Sequence, residues 1–114
     1  MMKRLIALAL TMSVASISNQ ASAQWVNGNQ LYAWCSSEVL WEKASCSSYV
    51  AGSLDQSDLS ANALQTPQGA TRGQMAAVVL KYLNNHPENR DWPGGLIVFA
   101  AVREAWPYLN KSGK

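Results

Sequence analysis

At 114 residues with 9 Lys+Arg against 7 Asp+Glu, the chain has room for one small domain, and small domains have modest cores. Its basic surplus sits in Lys3 and Arg4, so the chain after the first 23 residues carries seven basic and seven acidic side chains. That balance argues against the basic face non-specific nucleic-acid binding requires and against a basic helix lying on a membrane surface.

Residues 1–23 have the layout of a secretory signal peptide. Lys3 and Arg4 come first, then an apolar stretch from Leu5 to Val14, then Ala21-Ser22-Ala23 before the expected cut. The apolar stretch is shorter than the roughly 20 residues of a membrane span, and no later segment could serve as one. The expectation is an exported protein, with no membrane insertion after cleavage, whose residues 24–114 form a single domain.

Within that domain, Asn27 to about Glu38 reads as a helix carrying Leu31, Trp34 and Cys35 on one side. A second starts near Ser45, with Cys46, Tyr49, Val50 and Ser53 or Leu54 at helical spacing. Between them, Val39, Leu40 and Trp41 either extend the first helix or cover the core from a loop. Asp55 to Gly69 is the most polar connector, with turn chemistry at Thr66-Pro67-Gln68-Gly69. Thr71 and Gln74 then have the spacing of a capping box. Met75, Val78, Val79, Tyr82 and Leu83 follow as one apolar stripe, and Asn84-Asn85-His86-Pro87 ends the helix, because a residue before proline is pushed out of helical geometry. A last helix is expected from about Asp91, as N-cap, to Trp106, with Pro93 in its first turn. Leu96, Phe99, Val102 and Trp106 line its expected core face, widened by Ile97, Ala100, Ala101 and Ala105; Pro107 stops it. Gly94-Gly95, poor helix formers, mark a place where another backbone comes close.

The expected fold is all-α, a small bundle of about four helices with one intramolecular disulfide. Cys35 and Cys46 are the two cysteines of an exported chain, a setting in which disulfides persist. Joining them closes a short loop worth about 2–3 kcal/mol. With His86 as the one histidine, a four-ligand metal site is short of donors, and no cofactor is implied.

Catalysis finds little support. A hydrolase needs a nucleophile beside a base, no G-x-S-x-G nucleophile elbow occurs, and the pairs Glu38/Glu42 and Asp55/Asp58 fall on polar helix faces. What remains is the polar corner between the last two helices, holding His86, Glu88, Asn89, Arg90, Asp91 and Trp92. Loops on a rigid frame are where recognition residues collect, and tryptophan is enriched at interface hot spots. Two readings stand for this corner. Either its side chains contact a partner, or they fix the turn, with Arg90 pairing with Glu88 or satisfying carbonyls that close the preceding helix, in which case recognition moves to Asp55–Gln68.

Four motifs occur in register: Cys46-x-x-Tyr49-Val50-x-Gly52-x-x-Asp55, Pro67-x-Gly69-x-Thr71-x-x-Gln74, Tyr82-Leu83-x-x-His86-Pro87-Glu88-x-Arg90 and Trp106-Pro107. With Leu31 and Cys35 ahead of them, they resemble the Rap/Tai-type immunity proteins across nearly the whole domain. The resemblance implies a periplasmic protein that binds a cognate peptidoglycan amidase effector of type VI secretion, plugs its active-site groove and forms a homodimer. It also implies the Cys35–Cys46 pairing. Many relatives carry a second cysteine pair, at the places held here by Gln65 and Tyr108, and both partners are absent together. Ser48 stands where glycine is common, and Pro93-Gly94-Gly95 where small helix formers are typical. An inhibitor of some other exported enzyme and an acid-stress chaperone are the competing functions, the latter expected to bind ANS as the pH falls.

Overall fold

The computed structural model describes residues 25–60 and 63–110; the signal-like segment 1–23 lies outside them. Four α-helices follow in chain order: α1 Gly28–Cys35, α2 Leu40–Ser57, α3 Arg72–Asn85 and α4 Gly94–Ala105, with a 3-10 turn Pro87–Asn89 between the last two. Their buried faces share one core: Leu31 from α1, Cys46 and Val50 from α2, Met75, Val79, Tyr82 and Leu83 from α3, and Ile97, Val98, Ala101 and Val102 from α4. Leu64 closes it from the connector.

Two helix starts are set by local chemistry. Asn27 caps α1, its Oδ1 accepting from the Gln30 amide at 2.9 Å. Thr71 and Gln74 form the expected reciprocal capping box on α3, satisfying donors that a bare helix end would orphan.

The segment between the cysteines differs from both readings given above. α1 stops at Cys35, where Ser36 sends its amide and its hydroxyl to the Tyr32 carbonyl at 2.9 and 2.6 Å, a local bond that competes with further helix. α2 then starts at Leu40, several residues before Ser45. Leu40 and Trp41 therefore occupy its first turn, 82% and 63% exposed; they neither prolong α1 nor cover the core. The disulfide joins Cys35, the last residue of α1, to Cys46 inside α2, with Cα atoms 5.0 Å apart.

α4 also starts later than expected. Asp91 does not cap it; Pro93 is its N-cap residue. The reason is a backbone pairing of residues 92–94 with 26–28, in which the Gly28 amide bonds the Trp92 carbonyl and the Gly94 amide bonds the Val26 carbonyl, each at 2.8 Å. Here the expected close approach is found. A Cβ on Gly94 would lie 2.6 Å from Tyr49 Oη and 2.9 Å from the Val26 carbonyl oxygen, whereas one on Gly95 would meet open space. The buried face of α4 is Gly94, Ile97, Val98, Ala101 and Val102, so the helix is rotated from the expected stripe: Leu96 is exposed, and Phe99 and Trp106 are half-buried.

The connector returns through a turn whose third residue, Gly69, has φ of 85°, closed by the Ala70 amide on the Pro67 carbonyl at 3.1 Å; positive φ is where glycine has no steric cost. Further along, Asn110 grips the Gln65 backbone with both ends of its amide, accepting from the nitrogen at 2.8 Å and donating to the oxygen at 2.9 Å.

Candidate functional site

The polar corner is assembled at the C-terminal end of α3. His86 caps that helix, its amide reaching back to the Tyr82 carbonyl at 2.9 Å, and Pro87 begins the 3-10 turn. The Asn89 amide then bonds the His86 carbonyl at 3.0 Å, and the Trp92 amide bonds the Asn89 carbonyl at 3.0 Å. The corner is thus a chain of short-range backbone bonds, anchored at its far end by the pairing with residues 26–28.

Side chains tie it down again. Arg90 donates from Nε to the Leu83 carbonyl at 2.9 Å, and its guanidinium lies 3.8 Å from the centroid of the Tyr32 ring. Asn89 donates to Tyr82 Oη at 3.1 Å. The half-buried Trp92 packs against the core. The backbone of Arg90 also lies close against α1, for a Cβ on Gly28 would come within 2.6 Å of the Arg90 carbonyl oxygen. Of the two structural roles weighed for Arg90, helix closure is the one observed.

His86 stands between two carboxylates. Its Nε2 is 2.8 Å from Glu104 Oε2, near the end of α4, and its Nδ1 is 3.3 Å from Glu88 Oε1 in the 3-10 turn. The ring also tilts over Tyr82, with centroids 4.3 Å apart. Partial burial works against a charged imidazole here, but hydrogen bonds and charge from Glu104, then Glu88, outweigh it and raise the His86 pKa above 6.5. Glu88 is pulled below 4.5 chiefly by its own backbone N–H; burial opposes this, and His86 adds to the lowering.

The six residues marked in the sequence thus come together, but facing different ways. Arg90, Asn89 and Trp92 turn inward; Glu88 and Asp91 are exposed, and the half-buried His86 links Glu88 to Glu104 of α4. Glu104 and Tyr32 complete the corner and escaped sequence reasoning. Glu104 is eighteen residues from His86 and, read along its own helix, is an ordinary polar residue. Both ring nitrogens of His86 engage carboxylates, and the cysteines are bonded to each other. Among the described residues, no group of His, Cys, Asp and Glu is placed to hold a metal, and no helix is long and apolar enough to cross a membrane. Such an arrangement offers recognition through fixed charges and hydrogen-bonding groups.

Among curated proteins and solved structures, none matches the chain. A family model described as Rap1a immunity proteins matches residues 27–108, from the cap of α1 to just beyond Pro107 and so across all four helices. The chain belongs to the Rap1a immunity protein family.

Proposed function

We propose that this protein is a periplasmic immunity protein that binds a peptidoglycan amidase effector of type VI secretion and occludes its active site, working as a homodimer. It acts as an inhibitor and performs no reaction of its own. The family match over residues 27–108 carries the reading. The corner geometry supports it, because a loop locked by its own bonds loses little freedom on docking, and preorganisation of that kind favours affinity. In this reading Glu88 and Asp91 make contact, the exposed edge of Trp92 adds apolar area, and His86, Asn89 and Arg90 hold the presenting backbone in place. Export follows from the signal-like residues 1–23, which would leave the mature chain beginning at Gln24.

The test is to mix the mature chain with the candidate amidase and follow cleavage of peptide cross-links in purified cell-wall sacculi. Inhibition should be complete near a stoichiometric ratio, with light scattering of the free chain giving twice the monomer mass. An amidase that runs unimpeded in excess of the chain would overturn the proposal. Inhibition of a lysozyme-like hydrolase in its place would transfer the same scaffold to another target.

A further inference from the structure

We propose that His86 is a protonation-operated latch on the corner: charged, it ties the end of α3 to both the 3-10 turn and the last turn of α4; neutral, it must release one of them. Donor arithmetic requires the release. An ionised carboxylate only accepts hydrogen bonds, an imidazolium has two N–H donors, and a neutral imidazole has one donor and one lone pair. With Glu104 on Nε2 and Glu88 on Nδ1, the charged ring satisfies both carboxylates. The neutral ring satisfies one and turns a lone pair toward the other. The shorter contact is with Glu104, 2.8 Å against 3.3 Å for Glu88, so the neutral ring keeps its proton on Nε2 and the Glu88 tie on the turn is let go.

Partial burial opposes the charged ring, and the groups that face it work the other way. From α3 the facing group is Tyr82, whose ring favours the charged form electrostatically; from the 3-10 turn it is Glu88, and from α4 it is Glu104. The neighbouring arginines are engaged elsewhere, Arg90 on the Leu83 carbonyl and Tyr32, Arg103 on the Asn110 carbonyl and beside Phe99. The raised His86 pKa agrees in sign. A group whose folded pKa is raised contributes stability in full below its unfolded value, here near 6.5, and loses it as the pH climbs through the higher folded value. Glu88 sets the acid limit: its lowered pKa contributes stability above 4.5 that fades as the pH falls through the folded value. The latch is therefore closed in mildly acid solution and opens on the alkaline side. The consequence for binding rests on the proposed function: a looser turn is a less preorganised surface, so affinity for the amidase weakens as the latch opens.

The latch can be tested on the mature chain alone, which separates its failure from that of the proposed function. His86 is the only histidine, so one ring Cε1–H signal in an NMR titration from about pH 5 to pH 9 reports it directly. Its midpoint should lie above 6.5 and fall toward that value in both Glu104→Gln and Glu88→Gln, each of which alters an exposed side chain. Hydrogen-exchange protection of the Asn89 and Arg90 amides should drop several-fold across the same midpoint. In His86→Gln, whose amide can donate at any pH, that protection should show no such step. A midpoint unchanged in both glutamine variants, or amide protection indifferent to the His86 transition, overturns the latch.

Discussion

Arg90 directs its guanidinium into the fold, and that placement decides what a mutation there would report. Its Nε donates to the carbonyl of Leu83 while the plane stacks near Tyr32, two contacts that a lysine cannot make together because an ammonium has neither the fork nor the flat face. Arg90→Lys should lower stability by about 1–2 kcal/mol in urea unfolding, and any loss of partner binding should track that loss of stability. Full stability in Arg90→Lys would show that these contacts carry no weight. Asn110 is the second case. It joins the Gln65 backbone to the end of α4, donating also to the Trp106 carbonyl at 3.1 Å. The cap at Thr71 was legible in the sequence because its partner lies three residues away. The partners of His86 in α4 and of Arg90 in α1 were not, because only the packed helices bring them together.

Among the elements, Gly28 at the start of α1 and Gly95 in the first turn of α4 answer to different neighbours. Gly95 faces open space, so Gly95→Ala should be neutral or raise stability by up to about 1 kcal/mol through helix propensity. Gly28 is pressed against backbone, 2.6 Å from the Arg90 carbonyl oxygen for an added Cβ. Gly28→Ala should therefore cost about 1–3 kcal/mol, typical of overpacking, because backbone cannot step aside as a flexible side chain can. Thermal unfolding of the two variants side by side checks both; equal midpoints would contradict the close approach. The existence of the helices was readable from apolar spacing, and their starts were less so. The onset of α4 depends on backbone pairing with residues 26–28, and nothing in the spacing of Leu96, Phe99 and Trp106 announces that. The onset of α2 places Leu40 and Trp41 on the surface, an arrangement that apolar content alone would not suggest.

For the molecule as a whole, one covalent staple and one core hold the corner in place. Replacing both cysteines, Cys35→Ser with Cys46→Ser, should cost about 2–3 kcal/mol by chain entropy, seen as a lower urea midpoint. An unchanged midpoint would mean that the α1–α2 packing needs no link. The helices, the disulfide and the family were all legible in the sequence, whereas the orientation of the corner was not. That orientation divides inward residues from the outward Glu88 and Asp91, and it is what the functional account depends on. The most direct measurement is amidase inhibition by Asp91→Arg beside Asp58→Arg, both at exposed positions, with thermal melts in parallel. Asp91→Arg should weaken inhibition by about tenfold or more, roughly 1.4 kcal/mol, at an unchanged melting temperature, and Asp58→Arg should inhibit like the wild type. Full inhibition by Asp91→Arg, with the loss falling on Asp58→Arg, would move recognition to the connector and contradict the account.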